Sequence, residues 1–300
     1  MKRITYVFTV FLILFQLGGC TSKELFSCRG EVYTASSGEI SFSVSARTAG
    51  RLVSFRYGEE EMLLQADVDS SYYGSTFWLS PQEWHWPPYP VLDEWPYRAV
   101  LQDDKLKLYS PSDSVKGIEV TKEFSFSDDK AVLITCSLKN ISTEMKRLAL
   151  WDVTRVPGGI TFFPVGEPDK ANRSFIPNAY EQDGIVWYEI EKEPVTDSQK
   201  LFSTAKGGWL AHYRNGVLMV KCFPDILPSQ LPPGHGEVEV FVAPHGKYVE
   251  LENHGEYVAL KPGEQLQYKE KWLLLAVAPV VATDKSKLLD IVEHLDKKIP

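Results

Sequence analysis

The stretch Tyr248 to Leu275 reads YVELENHGEYVALKPGEQLQYKEKWLLL. Val249 and Leu251 fall on one parity, and Glu250, Glu252 and His254 fall on the other. Side chains of an extended chain alternate between faces, so this pattern predicts a strand with one apolar face and one acidic face that carries a histidine. The turn Pro262-Gly263 follows, and LQYKEKWLLLAV then runs out as a longer strand.

The same period of two recurs outward from this stretch. Ile40, Phe42 and Val44 alternate with serines, and Ile118, Val120, Lys122, Phe124 and Phe126 share one parity. AVLITCSL repeats the pattern after the turn Asp128-Asp129, VEVFVAP continues it, and AHYRNGVLMVKCF reads as two strands about the hairpin signal Asn215-Gly216. Strands follow strands with no helix between them, which predicts an all-β fold of antiparallel sheets in a sandwich or barrel. One helix is expected, over 283–298. Thr283 is its N-cap, Asp284 lies in its first turn, and Leu288, Leu289, Ile291, Val292 and Leu295 form one face that closes a sheet edge or barrel end.

At the other end, Lys2 and Arg3 precede an apolar run from Ile4 to Leu17 that is short for a membrane span. With Leu17-Gly18-Gly19-Cys20 behind it, the segment resembles a bacterial lipoprotein signal. That resemblance implies cleavage before Cys20 and lipid on Cys20, so the mature chain would be anchored to a membrane without spanning it. An uncleaved N-terminal anchor is the alternative. The expected organisation is a signal peptide over 1–19, a lipidated tether over 20–30 and one domain over 31–300. Thr21 lacks the acidic signal that keeps lipoproteins at the inner membrane, so the outer membrane is the expected site, and a monomer the expected state. Cys28, Cys136 and Cys222 remain, an odd number without CxxC spacing, which argues against a disulfide scaffold or a cysteine zinc site. The chain has 32 basic and 40 acidic residues, a balance of −8. Losing Lys2 and Arg3 with the leader takes this to −10, the wrong sign for a nucleic-acid partner.

Gly74 to Tyr97 reads GSTFWLSPQEWHWPPYPVLDEWPY and holds Trp78, Trp84, Trp86 and Trp95 among five prolines. The prolines exclude a helix or a central strand. Such rings either pack as a satellite cluster under the loop or present flat apolar surface to the C–H face of a sugar, with Gln82, Glu83, His85 and Asp93 near its hydroxyls. In an extended segment, Trp84 and Trp86 both face one side.

GRLVSFRYGEEEML (Gly50 to Leu63), the aromatic loop, WDVTRVPGGITFFP (Trp151 to Pro164) and Tyr248 to Leu275 together resemble a bacterial domain of unknown function. That family is similar in fold to galactose mutarotase and other aldose 1-epimerases. The resemblance implies a β-supersandwich with a carbohydrate-binding face. Mutarotases carry a catalytic glutamate on a late strand, ahead of a Pro-Gly turn. Glu252 is the closer match by local pattern and Glu250 the alternative. Their acid is a histidine on a mid-chain strand, in a region that LALWDVTRV occupies here without one. His85 and His212 are the stand-ins. Trp151 and Arg155 share a parity, which suits Arg155 either to a ligand or to a structural pair near Asp152.

Three readings follow. The first is a membrane-anchored carbohydrate-binding protein of the cell envelope, with Trp78, Trp84, His85, Trp86 and Arg155 as the binding residues. The second is a sugar-active enzyme, epimerase-like or lyase, with Glu252 or Glu250 as base. The third is a non-catalytic scaffold in which the rings only pack. No cofactor is expected, and a calcium-like ion on the ExExH spacing of Glu250, Glu252 and His254 is the alternative. His235 and His245, beside prolines and glycines, are expected in solvated loops. No GxSxG, P-loop, HExxH or dinucleotide fingerprint occurs.

Overall fold

The structure is a computed structural model that describes residues 25–128, 131–166, 176–190, 196–278 and 284–300. The leader, Cys20 and Thr283 lie outside them. Within them the chain forms two antiparallel sheets of eleven and ten strands.

The first sheet runs in the order Phe26–Arg29, Val32–Ser37, Ile40–Ser45, Arg51–Tyr57, Ser75–Ser80, Lys146–Val156, Val249–His254, Val238–Val242 and Gln199–Ser203. Phe26–Arg29 falls inside the segment read as a tether. It is an edge strand because Gly30 and Glu31, both at positive φ, turn the chain straight into Val32–Ser37. The second sheet is built around Val217–Cys222, Gln265–Ala276, Ala131–Asn140 and Ile118–Asp128. The Asn215-Gly216 hairpin forms as expected, with both residues at positive φ and Arg214 facing Val217.

Alternation decides what lies between the sheets. Leu251, Phe42, Phe55, Phe124 and Trp272 are buried there, and Phe55 meets Trp272 across the gap at 5.7 Å. Lys221 of the second sheet reaches Asp152, Thr154 Oγ1 at 2.9 Å and the Leu251 carbonyl at 3.1 Å, all in the first sheet. Asn253 donates to Tyr268 Oη at 2.8 Å. Asp152, Thr154, Leu251 and Asn253 therefore point between the sheets, and Trp151, Arg155, Glu250, Glu252 and His254 point away from the second sheet. Lys122, on the apolar parity, is also buried, and its Nζ donates to the Ala49 carbonyl at 2.7 Å. Cys136 and Cys222 are buried in the second sheet as small apolar side chains.

The C-terminal helix is Lys285–Glu293, shorter than expected. Asp284 caps it through the Ser286 amide, and Lys297 Nζ donates to the Val292 carbonyl just past its end. Leu288 and Val292 pack with Trp209, Leu218 and Leu273 on a face of the second sheet, so the helix covers a face where an edge or barrel end was expected.

Candidate functional site

The outer face of the first sheet places side chains in register across its strands. One row runs Trp78, Trp151 and His254, a second runs Glu252 and Glu239, and a third runs Arg155, Glu250, Phe241 and Lys200. Cross-strand neighbours on one face lie close enough to interact directly. The Trp151 ring stacks on His254 at 5.1 Å and 19°, and Arg155 Nε donates to Glu250 Oε1 at 2.8 Å.

The aromatic loop folds over the first of these rows. Trp78 meets Trp84, Trp86 and Trp151 edge-on, at 5.7, 5.1 and 5.3 Å. Arg51 anchors the loop by an ion pair to Asp93 at 2.9 Å, and the Trp78 indole donates to the same carboxylate. Beside the loop opens a cavity of about 480 Å³, walled by Trp78, Trp86, Trp151 and Tyr72 and floored by Lys200 and Glu250. Beneath it the Arg155 guanidinium lies 5.0 Å from the Trp78 ring centre and 5.6 Å from that of Tyr72. Its two terminal nitrogens are buried with no hydrogen-bond partner among the described residues.

Charge is concentrated one row further on. Lys200 Nζ sits between two buried carboxylates, 2.7 Å from Glu239 Oε2 and 2.9 Å from Glu252 Oε2. The Trp151 indole N–H also donates to Glu252 Oε2 at 2.7 Å. Glu239 Oε1 accepts from the Gly236 amide at 2.9 Å and from His235 Nδ1 at 2.9 Å. Burial raises the Glu239 carboxyl, but His254, His235 and Lys200 outweigh it and hold that carboxyl well below the usual range. Glu252 has fewer donors, so burial pushes it up to about 8 against Lys200, helped by the charges of Glu239 and Glu250. At neutral pH the ion pair is thus Lys200 with Glu239, and Glu252 holds a proton. Burial also lowers His254 to about 4 in spite of Glu239, which leaves its ring neutral.

A family model described as "Domain of unknown function (DUF4380)" matches residues 33–275. The chain belongs to that family. DUF4380 here has the architecture of several solved structures. A protein from Escherichia coli K12, provisionally assigned as an aldose 1-epimerase, is 14% identical with a TM-score of 0.56, over 82% of this chain and 99% of that one. A galactose mutarotase-like protein from Lactobacillus casei ATCC 334 is 11% identical with a TM-score of 0.56, over 81% and 100%. A TPR-domain containing protein from Parabacteroides distasonis ATCC 8503 is 15% identical with a TM-score of 0.62, and the match covers 90% of this chain but 49% of that one. At these identities the likeness establishes the fold, a galactose mutarotase-like β-sandwich. No curated protein matches the sequence.

The structure brings some of the predicted residues together and separates others. Trp78, Trp86 and Glu250 line the cavity, with Arg155 beneath them. Trp84 and Trp86 do not share a face. Trp84 is buried with its indole N–H on the Leu79 carbonyl, while Trp86 is 51% exposed. His85 is exposed and is not among the cavity residues. Glu252 is fully buried behind Lys200 and Trp151, so Glu250 is the glutamate that faces the cavity. His212 is buried among the strands of the second sheet, with Thr161 as partner at 2.9 Å. Arg155 pairs with Glu250, and Asp152, on the opposite face, pairs with Lys221.

The ExExH residues diverge, since Glu250 turns to Arg155 and His254 to Ser80 and Glu239. His235, expected in solvent, is held against Glu239 with its side chain 9% exposed. Lys200 and Glu239 are site residues that the sequence reading misses, and the signal for Glu239 is an acidic residue set between valines on a strand.

Proposed function

We propose that this DUF4380 protein binds carbohydrate in the cavity over its first sheet, and that lipid on Cys20 holds it at the bacterial envelope, on the outer membrane. One observation carries the binding reading. A cavity of about 480 Å³ presents aromatic walls from Trp78, Trp86 and Trp151, with Lys200 and Glu250 at its base. Rigid rings offer flat apolar surface to the C–H face of a pyranose, and a few charged groups fix its hydroxyls. The likeness in fold to proteins described as mutarotase-like and aldose 1-epimerase agrees with a sugar ligand. The anchor rests on the leader and the Leu17-Gly18-Gly19-Cys20 sequence.

The test is tryptophan fluorescence of the purified protein, titrated with neutral and acidic mono- and oligosaccharides, for wild type and Trp86→Ala. Saturable change with one sugar class, lost in the variant, supports the reading. A flat response across the panel overturns it.

An epimerase-like second reading takes as base the Glu252 carboxyl, pushed to about 8 beside the Lys200 ammonium, and requires Lys200 and Trp151 to move aside so that this buried group reaches a sugar in the cavity. A base with that affinity for protons works better as pH rises through about 8. Mutarotation that climbs over this range and vanishes in Glu252→Gln supports it. Turnover retained in Glu252→Gln rules it out.

A further inference from the structure

We propose that His235, Glu239 and His254 form a site for one divalent transition-metal ion of zinc's type. Their ligand atoms all lie within 4.8 Å of one another. His235 Nδ1 is 2.9 Å and His254 Nε2 3.2 Å from the same oxygen, Glu239 Oε1. Ligands at about 2.1 Å from a tetrahedral ion stand roughly 3.4 Å apart, so the two histidine-to-carboxylate separations need a small expansion and the two histidine nitrogens, within 4.8 Å of each other, need to close toward that value. The donor set, two imidazole nitrogens and one carboxylate, is that of open three-ligand zinc sites.

His254 supplies an independent observation. Its Nε2 is buried and has no hydrogen-bond partner among the described residues, with Glu239 Oε1 3.2 Å away as an ion-pair contact. A ring nitrogen left without a hydrogen bond is the arrangement a metal ligand needs. The rest of the ring is fixed as ligating imidazoles usually are. Nδ1 is 3.0 Å from Ser80 Oγ, and Trp151 stacks on one face. Glu239 is held in turn by the Gly236 amide and by Lys200. Gln82, Trp151 and Lys200 line the cavity and each touches a member of the triad, so the open coordination position lies toward the cavity.

Loading the site has a structural consequence. His235 Nε2 accepts from the Gln82 amide at 3.1 Å, so the ring's proton sits on Nδ1. Ligation through Nδ1 moves that proton to Nε2, where it opposes the Gln82 N–H. The Pro81–Glu83 backbone must shift, and Trp84 and Trp86 follow it in sequence. Metal binding is thereby coupled to the aromatic wall. The Lys200 ammonium, bound to the other oxygen of Glu239, opposes the ion by like charge and keeps affinity below that of a structural zinc site. The site does not depend on a sugar occupying the cavity.

The experiment titrates untagged purified protein with Co²⁺, read by its visible d–d absorption and by tryptophan fluorescence, and with Zn²⁺ by calorimetry. One equivalent with an intense tetrahedral spectrum is expected. His235→Ala and His254→Ala should each weaken binding by more than the about 10–100-fold that loss of an outer-shell partner costs. Lys200→Met should tighten it, an effect that loss of a merely structural contact would not give. His235→Ala lies at the rim and decides the matter if His254→Ala misfolds. No saturable spectrum in the wild type, or unchanged binding in His235→Ala, overturns the proposal.

Discussion

Arg155 and Glu250 sit directly opposite each other on neighbouring strands, and a 2.8 Å bond from Nε to Oε1 joins them beneath the cavity. The bond uses one of five donors on a side chain with no exposure, and the two terminal nitrogens are left to the rings of Trp78 and Tyr72. Truncating the arginine removes the partner of a carboxylate whose side chain is 10% exposed. Arg155→Ala should therefore cost about 3–5 kcal/mol, the usual penalty for breaking a buried pair from one side. Glu250→Gln keeps an acceptor oxygen for Nε and should cost less. Urea denaturation of both variants checks the order, and an Arg155→Ala protein as stable as wild type would refute the account.

Trp84 and Trp86 are two residues apart and should behave oppositely. Trp84 is buried against Trp78 and Trp151, so Trp84→Ala leaves a cavity and should cost about 3–5 kcal/mol. Trp86 is half exposed, so Trp86→Ala should cost about 1 kcal/mol or less and act instead on ligand binding. Thermal midpoints and the saccharide titration on the two variants separate these effects. Equal destabilisation would mean that both rings serve the core.

The sequence made one half of this site readable and concealed the other. Alternation in Val249–His254 fixed which face its glutamates take, and the parity of Trp151 and Arg155 put them on that same face once the strands paired. Alternation gives a face but not a register, so nothing in the sequence set Arg155 opposite Glu250 instead of near Asp152. Lys200 lies on a five-residue strand at the end of the sheet order, with no distinguishing pattern around it. His235 precedes its strand in a Pro-Gly turn, where no periodicity applies, and only the turn's path brings it back to Glu239. The prolines of the aromatic loop do not exclude regular structure as expected, because Ser75–Ser80 ends just before Pro81 as a central strand of the first sheet, and Pro90 opens the short helix Pro90–Asp93, where a proline is tolerated at the first position. Nor did the prolines support the extended conformation that would put Trp84 and Trp86 on one side, because burying Trp84 under the loop removes more apolar surface from water.

Lys221 and Asp152 bridge the two sheets as a fully buried ion pair. Each charge is stabilised mainly by the other, so Lys221→Met alone strands the carboxylate and should cost about 3–5 kcal/mol. Asp152→Leu should do the same by stranding the ammonium. The double variant removes both desolvation penalties, and the Thr154 to Ser75 hydroxyl bond at 3.1 Å survives in it. It should be more stable than either single variant. A double-mutant cycle by urea denaturation measures the coupling. Simple additivity of the two losses would show that the pair does not act as a unit.

The buried carboxyls set how stability depends on pH. Burial pushes Glu237, Glu252 and Glu270 each up to about 8, whereas in the unfolded chain they release their protons near 4.5. Between these values the folded state binds more protons, so the stability these groups contribute is complete below about 4.5 and is lost as pH rises toward 8. His212, lowered to about 3, and His254, lowered to about 4, act in the opposite direction, but only below their unfolded value of 6.5. The window from 6.5 to 8 is left to the glutamates, and there each contributes up to about 1.4 kcal/mol per pH unit. Above pH 8 the sign reverses. Burial lowers Lys122 to about 8 from 10.5, so the unfolded chain then holds the extra proton and stability recovers with pH. Urea midpoints should therefore fall from pH 6.5 to about 8 and recover only between about 8 and 9, because above 9 the thiols of Cys136 and Cys222, pushed by burial from 9.0 to about 12, hold protons in the folded state that the unfolded chain releases. Glu252→Gln should flatten the descending limb without moving the ascending one. Midpoints that climb steadily from 6.5 to 8 would mean that these carboxyls are ionised in the folded protein.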